Sequence, residues 1–583
     1  MLQLILTIII YLIIVIPVGV YLYHVAAGKR TLADPVFNRI DGAIYKISGI
    51  NPNQGMNWKK YALCLLGTNA IMILIGYIIL RIQSIGLFNP NGIGAMEETL
   101  SFNTIISFMT NTNLQHYSGE SGLSYLSQML VITFMMFVSA STGDAACIAF
   151  IRGLAGKTKD NVGNFFVDLV RVTTRVLLPF SIVGGLLLVW QGVPQNLTGN
   201  LVVDTIEGTK QAIAMGPVAA LEIIKHLGTN GGGFIGANST TPIENPTIIS
   251  DLIELYSMML LPGACVITFG KMVRDRKKAM AESSEVKVDL RKSLTARIYG
   301  REGRSIFLAM GIIFLIGLSL CFWSESQGNP ALADAGLSQS MGSMEGKEVR
   351  FGIAQSAMFT TTTTSFTTGT VNNMHDTLTP LGGMVPLLHM MLNVVFGGKG
   401  VGLMNMIMYA ILAVFICGLM IGRTPEYLGK KIEGREMKLT ALCIIIHPFL
   451  ILAFSALAVG TAAGQEGITN PGFHGLSQVL YEYASSAANN GSGFEGLADN
   501  TYFWNITAGL AMFFGRYLSI VIQLAIAGSL MKKRFVNESA GTLHTDTLSF
   551  AVILVFVVYI FAALTFFPAL ALGPIAEHLT LWA

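Results

Sequence analysis

GTNGGG, at residues 228–233, is one of four short polar stretches that interrupt an otherwise apolar chain. The other three are TNTN at 110–113, TTGT at 367–370 and ANNGS at 488–492, so a polar stretch recurs roughly every 120 to 140 residues. Each stretch follows an apolar span and a short amphipathic run, and precedes another apolar span. Polar backbone at membrane depth is tolerated only where protein or water satisfies its groups. The four stretches therefore predict a pore in which they converge and offer a ring of oxygens to an ion.

The composition indicates a protein that resides in lipid. The chain has 583 residues, of which 52% are hydrophobic and only 12% charged, whereas soluble domains carry about 25% charged residues. The net charge of +3 is small and the basic residues are dispersed among short loops, which excludes a nucleic-acid partner. The six cysteines and nine histidines show no CxxC or HxxxH pattern, so neither a disulfide framework nor a metal cluster is predicted.

Apolar runs long enough to cross a bilayer predict ten membrane spans. The first has no basic region before it and is too long for the core of a signal peptide, so we interpret it as a retained helix. The seventh is interrupted by GGKGVG at 397–402, which is typical of a broken helix at a transporter site or gate. Two half-spans joined by a loop are the alternative. The ten predicted spans are 2–22, 61–81, 125–151, 173–190, 248–272, 305–323, 384–422, 438–461, 502–530 and 547–571.

Lysine and arginine are concentrated in alternate loops, and this pattern predicts the orientation. By the positive-inside rule these loops are cytoplasmic, so both termini and all four polar stretches belong to the outer face. The densest segment, 273–304, is interpreted as a cytoplasmic loop that docks on a partner's cytoplasmic domain or on anionic lipid. The basic segments are 23–60, 152–172, 273–304, 423–438 and 531–546.

The order of spans divides the chain into four repeats of span, re-entrant half-helix, polar stretch and span. The predicted fold is an all-α integral membrane protein with four pseudo-symmetric helix–pore loop–helix repeats, like a potassium channel, and one extra helix at each end. The half-helices, at about 98–110, 216–228, 353–366 and 475–488, are too short to cross a bilayer. Their C-terminal ends carry partial negative charge toward the polar stretch, which favours a cation there. The predicted divisions are 1–60 with the first helix and a cytoplasmic loop, repeat 1 at 61–151, repeat 2 at 173–272, the basic loop at 273–304, repeat 3 at 305–422 with its broken second helix, repeat 4 at 438–530, and the last helix at 547–571.

Threonine, asparagine and glycine in these stretches suit a weakly hydrated monovalent cation. Backbone carbonyls and threonine hydroxyls are neutral oxygen ligands, and glycine permits the positive φ that turns carbonyls toward one axis. The stretches contain no aspartate or glutamate, which a divalent-cation site prefers. The predicted filter residues are Asn111, Thr112, Asn113, Thr229, Asn230, Gly231, Gly232, Thr367, Thr368, Gly369, Asn489, Asn490 and Gly491.

Three of the charged residues inside predicted spans are candidates for a role near the ion path. Arg516 lies well within the ninth, where a buried charge costs at least ~2.5 kcal/mol, so it is either a cationic barrier beside the filter or the partner of an interhelical carboxylate or carbonyl. Asp144 is near the cytoplasmic end of the third span, and we expect it to be exposed or to snorkel. Lys399, in the broken helix, either gates the path or reaches the interface.

The chain itself carries no signature of ATP hydrolysis. It has no GxxxxGK[ST] loop and no DKTGT-type phosphorylation loop. No cytoplasmic segment exceeds about 40 residues, which is too short for a nucleotide-binding domain. If transport is ATP-driven, another chain must carry out the hydrolysis.

Long specific strings occur along the whole chain, among them TNTNLQHYSGE (110–120) and GLMIGRTPEYLGKKIEGREMKLTAL (418–442). With these strings the chain resembles the potassium-transporting ATPase A-chain family, KdpA, from one end to the other. The resemblance implies a potassium-channel-like fold and a non-catalytic subunit of a high-affinity pump in the bacterial cell membrane. In that family potassium enters a filter from the outer face and leaves sideways through a tunnel toward the P-type ATPase subunit KdpB, in a complex with KdpC and KdpF. Potassium is the only ligand implied, and no organic cofactor is expected. The matching strings are TNTNLQHYSGE (110–120), MGPVAALEIIKHLGTNGGGFIGANS (215–239), ENPT (244–247), SMEGKEVRFG (343–352), MHDTLTPLGGMVP (374–386), GLMIGRTPEYLGKKIEGREMKLTAL (418–442), SSAANNGSGF (485–494) and FPALALGP (567–574).

The resemblance also implies roles for residues outside the polar stretches. Gln115 and Asn238 are assigned supporting roles around the filter. The chain departs from the family at Asn393, where many members have an acid, and at Lys399 and Asp144, where other residue types are usual. The residues implied to block straight-through leakage are Gly397, Gly398, Lys399, Gly400 and Arg516.

Two alternatives to a pump subunit follow from the sequence. An autonomous potassium channel or cation symporter of the same four-repeat superfamily would need no catalytic partner. A membrane subunit of a redox or proton-pumping complex would need paired histidine ligands or a chain of mid-span lysines and glutamates, and the sequence shows neither.

Overall fold

A computed structural model describes residues 2–31, 33–156, 160–282, 294–536 and 543–583 of the chain. Lys157, Lys159, Lys287, Arg291 and Lys292 of the predicted basic loops lie outside the described residues. Within the described residues, ten helices are long and apolar enough to cross a membrane, as the sequence predicts. In chain order, spans 1 to 10 are Leu2–Ala26, Trp58–Ile85, Tyr125–Ala155, Phe165–Gln191, Ile248–Ala279, Arg301–Asp334, Gly398–Ile421, Gly434–Gly460, Tyr502–Met531 and Leu548–Leu581.

Four shorter helices stand where the half-helices are expected, and each ends at a polar stretch. Almost all of their residues are buried, although polar residues are frequent in them. In the threonine run of the third, Thr364 Oγ1 donates a hydrogen bond of 3.0 Å to the carbonyl of Thr360 within the same helix. Pore helices 1 to 4 are Glu98–Met109, Val218–Leu227, Gly352–Ser365 and Phe473–Ala488.

The second span of a repeat is generally the more buried one. In the most apolar part of spans 3, 5 and 9, 83%, 78% and 67% of the residues are buried. The corresponding values for spans 2, 4 and 8 are 22%, 39% and 28%. The second spans therefore surround the centre of the molecule together with the pore helices, and the first spans face the lipid. Repeat 3 differs, because its second span is broken.

The break in repeat 3 divides the predicted seventh span into two helices. The first, Pro380–Leu392, ends at Asn393, whose φ of +48° places it in the left-handed region. A short turn at Gly398–Gly400 follows, and the second helix is Val401–Ile421. The carbonyl of Asn393 accepts a hydrogen bond of 2.9 Å from the Asn405 side chain, which replaces part of the interrupted helix bonding.

The remaining elements are short and lie between the spans. The strands pair antiparallel as two hairpins, Leu201–Asp204 with Lys210–Ile213 and Glu426–Tyr427 with Lys430–Lys431. Within 273–304, the described part is mostly helical, because span 5 continues as helix to Glu282 and a further helix follows. The short helices are Asp34–Ile47, Gly119–Gly122, Leu294–Tyr299, Ala462–Gln465 and Ala576–Leu581, the last at the end of span 10.

Candidate ion-binding site

The four polar stretches meet in a closed ring at the ends of the pore helices. We call filter segments 1 to 4 the residues 110–113, 228–232, 367–370 and 488–492. A Cβ on Gly231 would collide with the carbonyl oxygen of Thr368, and one on Gly369 would collide with that of Asn490. Likewise, a Cβ on Gly491 would collide with the carbonyl oxygen of Thr112. Since a Cβ on Gly232 would lie 2.8 Å from the carbonyl oxygen of Asn113, the contacts run from segment 2 through 3, 4 and 1 back to 2.

The backbone has the same unusual conformation in all four segments. In each one, two residues separated by a single residue have positive φ, from +46° at Thr229 to +110° at Gly231. Threonine is β-branched and rarely adopts this conformation, so its presence at Thr229 and Thr367 stores strain of about 1–3 kcal/mol at each. The eight residues are Asn111 and Asn113, Thr229 and Gly231, Thr367 and Gly369, and Asn489 and Gly491.

Asparagine side chains hold the segments to one another. The Asn111 amide donates a hydrogen bond of 2.8 Å to the carbonyl of Thr229, and the Asn230 amide donates one of 2.7 Å to Asn111 Oδ1. On the other side of the ring, Asn489 Nδ2 donates to Thr112 Oγ1 at 2.9 Å. These side chains link neighbouring segments into one hydrogen-bonded network.

Several buried polar atoms in the ring have no hydrogen-bond partner among the described residues. They include the hydroxyl of Thr368, the side-chain oxygen of Asn230 and both polar atoms of the Asn113 amide. Buried polar atoms in native proteins are nearly always satisfied, so unpaired ones indicate a ligand or water at the site. With pore-helix C-termini directed toward them and no carboxylate in any segment, the chemistry of this donor set fits a monovalent cation.

The two predicted supporting residues contact Gly233, which directly follows segment 2, and Thr370 of segment 3. Gln115 forms a reciprocal pair with the backbone of Gly233, donating at 3.0 Å and accepting at 2.8 Å. Asn238 Oδ1 accepts hydrogen bonds from Lys225 Nζ at 2.8 Å and from Thr370 Oγ1 at 2.7 Å. Through these bonds, residues after segments 1 and 2 fix the positions of segments 2 and 3.

The break in span 7 lies directly against the filter segments. A Cβ on Gly398 would be 3.1 Å from the carbonyl oxygen of Thr367 and 3.2 Å from Thr229 Oγ1. Lys399 has a φ of +41° and is fully buried, so the expected alternative in which it reaches the interface is wrong. Gly397 packs against the backbone of Gly402 where only glycines fit.

Asp144 is the partner of Lys399. The two side chains form an ion pair of 2.9 Å, and their exposures are 1% and 0%. The sequence expectation that Asp144 is exposed or snorkels is therefore wrong. The reason is tertiary: span 3 is one of the most buried helices, and only the folded chain brings the lysine of the broken span to it.

Arg516 lies beside this ion pair. A Cβ on Gly143 would be 2.8 Å from Arg516 Nη2 and 3.3 Å from the carbonyl oxygen of Lys399, so the guanidinium, the lysine backbone and span 3 meet at one point. Arg516 is 5% exposed, which makes it a buried charge within span 9. Two cations and one carboxylate thus cluster next to the break.

Sequence reasoning missed two buried polar clusters near the filter. His116, after segment 1, contacts Asn505 Oδ1 at 2.8 Å and Glu482 Oε1 at 3.2 Å. On pore helix 2, Lys225 forms ion pairs of 2.7 Å with Glu222 and with Glu244. The sequence did contain an indication of both clusters. Acidic and basic residues occur on half-helices that are predicted to lie inside the molecule.

The fold and the ring of oxygens define the class: a membrane transport protein with four pore-loop repeats around an ion path. In overall fold the chain resembles the crystal structure of the potassium transporter TrkH from Vibrio parahaemolyticus, with a TM-score of 0.51 and 13% identity over 87% of this chain and 97% of that one. The family model described as "Potassium-transporting ATPase A subunit", KdpA, matches residues 5–579. The chain belongs to this family.

Curated relatives agree over essentially the full length. A potassium-transporting ATPase potassium-binding subunit from Clostridium acetobutylicum is 57% identical over 580 residues, which cover 100% of both chains. Proteins of the same name from Geobacillus kaustophilus and Caldanaerobacter subterraneus are 52% and 51% identical and cover 98% and 97% of this chain, and 97% and 96% of their own lengths.

Proposed function

We propose that this protein is the potassium-binding and translocating subunit of an ATP-driven, high-affinity potassium uptake pump. The observation that carries the proposal is the ring of four filter segments with matching positive-φ residues and unpaired buried oxygens. The relatives named as potassium-binding subunits supply the identity of the ion. The ion is cargo, and the chain contributes neutral oxygens that replace its hydration shell.

The proposed ligands are mainly backbone carbonyls of the four segments. Threonine hydroxyls, such as that of Thr368, can add oxygens to the ring. Because the Asn111 amide already occupies the carbonyl of Thr229, that carbonyl has one lone pair left for an ion. The proposed ligand residues are Asn111, Thr112, Asn113, Thr229, Asn230, Gly231, Thr368, Gly369, Asn489 and Asn490.

The break in span 7 and Arg516 are proposed to prevent potassium from leaking straight through the membrane. Gly398 closes the space next to the filter segments, and the Lys399–Asp144 ion pair holds the break in place. Arg516 adds a buried positive charge beside it. A cation that has passed the filter then needs a lateral exit.

An apolar cavity of about 440 Å³ lies to one side of filter segment 3 and supports a lateral exit. The rings of Phe366 and Phe396 stack at 4.6 Å between centroids, and both line the cavity. Aromatic faces attract cations, so this wall offers potassium a favourable contact. We propose that this exit leads to the P-type ATPase subunit KdpB, in a complex that also contains KdpC and KdpF.

The proposed location is the bacterial inner membrane, with both termini and the filter entrance at the outer face. The basic segments between alternate spans carry this orientation by the positive-inside rule. The described chain is multi-pass, so an even number of spans returns both termini to the same side.

Potassium-stimulated ATP hydrolysis of the purified complex tests the proposal. Wild type should co-purify with an ATPase subunit and hydrolyse ATP in response to potassium. Gly231→Asp places a side chain against the Thr368 carbonyl and should raise the potassium concentration for half-stimulation by about tenfold or more. If the chain instead purifies alone and conducts potassium across liposome membranes without ATP, the protein is an autonomous potassium channel and the proposal is wrong.

A further inference from the structure

Three side chains of metal-ligand type meet behind pore helix 2, apart from the ring of filter oxygens. Glu222 and His226 lie one turn apart on this helix, and Glu254 comes from span 5. All three side chains are fully buried. One ligand atom from each lies within 4.8 Å of the other two, so a single ion can reach all three with small adjustments.

The hydrogen bonding of His226 fixes its tautomer. Its Nδ1 lies 2.6 Å from the backbone carbonyl oxygen of Glu222, and since a carbonyl only accepts, Nδ1 carries the proton. A neutral imidazole carries a single N–H, so its other nitrogen is an acceptor. The Nε2 atom therefore presents a lone pair, and a backbone carbonyl orients the ring as in metal-bound histidines.

That lone pair faces another acceptor. His226 Nε2 lies 3.4 Å from Glu254 Oε2, and neither atom has a hydrogen-bond partner among the described residues. Glu222 Oε1 and Glu254 Oε1 are also buried without a partner. One shared proton can join only two of these atoms in a hydrogen bond. A metal ion between His226 Nε2 and the carboxylate oxygens of Glu222 and Glu254 would bind all three groups at once.

The charge of the carboxylates around this cluster also favours a divalent cation. Glu222, Glu244 and Glu254 face one ammonium, Lys225, which pairs with the first two at 2.7 Å each. If all three carboxylates ionise when a metal binds, they and the one ammonium leave two negative charges, which one divalent ion neutralises. The nearby Asp251 has partners of its own, because three amide side chains, those of Asn245, Gln355 and Asn372, donate hydrogen bonds to it.

We propose that Glu222, His226 and Glu254 bind one divalent transition-metal ion of the zinc class. Imidazole nitrogen together with carboxylate oxygens suits zinc, whereas calcium and magnesium take oxygen ligands alone. The ion would join pore helix 2 to span 5 and so stabilise filter segment 2 from behind. Because the side chains are fully buried, the metal enters while the chain folds.

A second histidine cluster serves as an internal control. His116 lies near Glu482 and Asp499, so its residue types match those of the proposed site. Here, however, both ring nitrogens have partners, Asn505 Oδ1 for Nδ1 and Glu482 Oε1 for Nε2. This ring is a charged donor with no free lone pair, and it should not bind metal.

The test is the metal content of the full chain with its co-purifying subunits, expressed in zinc-supplemented medium and washed with chelator. Wild type and His116→Gln should retain about one equivalent of zinc per chain by mass spectrometry. His226→Met and Glu254→Gln should retain roughly a tenth or less. Zinc-edge X-ray absorption of the wild type should show one imidazole nitrogen together with oxygen ligands.

The wild-type measurements do not depend on whether a variant folds. Wild-type protein with roughly a tenth of an equivalent or less, or with zinc that lacks an imidazole ligand, would overturn the site. Retention of a full equivalent in both His226→Met and Glu254→Gln would overturn it as well.

Discussion

At the scale of single residues, the filter depends on which side chains tolerate a left-handed backbone. Each filter segment has two residues with positive φ. The second of them is glycine in three segments, Gly231, Gly369 and Gly491, and Asn113 in the first. Asparagine is among the non-glycine residues that most readily adopt this conformation. The glycines have a second reason to be there, since carbonyl oxygens of the neighbouring segments occupy the space of a Cβ.

Gly369→Ala should therefore disrupt the ring. The methyl group would collide with the carbonyl oxygen of Asn490, and the φ of +97° is strained for alanine. We expect the potassium concentration for half-stimulation of ATP hydrolysis to rise by about tenfold or more and discrimination against rubidium to weaken. The measurement is ATPase activity against potassium and rubidium concentration.

Gly493→Ala is the matched control for this substitution. Gly493 follows segment 4 closely, but a Cβ there meets nothing within 4 Å, and its backbone is not left-handed. Its half-stimulation value should stay within about twofold of wild type. Equal behaviour of the two variants would contradict the proposed role of the Gly369 backbone.

At the scale of elements, the broken span shows how one helix is interrupted inside the membrane without a large penalty. Its irregular backbone is buried in protein, where glycines, the Asn405 amide and the Lys399–Asp144 pair satisfy or cover it. The break also needs span 3, because Asp144 on that span is the ion-pair partner of Lys399.

Loss of one partner of this pair should cost much more than loss of both. Lys399→Met leaves the Asp144 carboxylate buried without its partner, and we expect a loss of about 3 kcal/mol in unfolding free energy. This is the lower end of the range for buried pairs, because Arg516 lies nearby. The double variant Lys399→Met/Asp144→Leu should recover most of this loss, as measured by thermal unfolding in detergent.

Lys532→Met provides the comparison for an exposed pair. Lys532 and Asp160 are 3.2 Å apart, but their side chains are 58% and 43% exposed. Its loss should change stability by about 0–1 kcal/mol. A Lys399→Met variant as stable as Lys532→Met would show that the buried pair does not hold the break.

At the scale of the whole molecule, contacts between distant parts of the chain close the structure around the filter. His474, at the start of pore helix 4, contacts Asp376 at 3.0 Å and Glu577 at 2.8 Å. Asp376 belongs to the loop after filter segment 3, and Glu577 to the end of span 10. One side chain thus ties two repeats and the C-terminal helix together.

This contact predicts a pH dependence of stability. Burial alone would lower the pKa of His474, but the hydrogen bonds to Asp376 and Glu577 outweigh it and raise the pKa to about 10. A raised histidine pKa gives stabilisation that is complete below the unfolded value of about 6.5 and is lost as the pH rises toward about 10. Unfolding temperature should therefore fall over this range.

His474→Gln isolates this contribution. The variant should be less stable than wild type at pH 6, and the difference should shrink as the pH approaches 10, because glutamine does not titrate. Thermal unfolding of both proteins across the pH range checks this. A difference that does not depend on pH would mean that His474 acts through packing alone.

The sequence by itself determined the repeat pattern of this protein. Apolar length, loop charge and four recurring polar stretches were sufficient to predict the ten spans and the four half-helices. The structural bounds of the half-helices agree with the predicted ones to within a few residues, whereas several spans extend further than predicted. These features follow from the lipid environment, because every span must be long and apolar and every interruption must be polar and short. The roles of the filter residues as ligands remain predictions.

Only the tertiary structure decided which charges meet. Asp144 and Lys399 are 255 residues apart, and their ion pair depends on the packing of span 3 against the broken span. The group of Glu222, His226 and Glu254 likewise needs pore helix 2 to lie on span 5. Local sequence carries no record of such distances, because the partner of a buried charge is chosen by the fold that removes both from water.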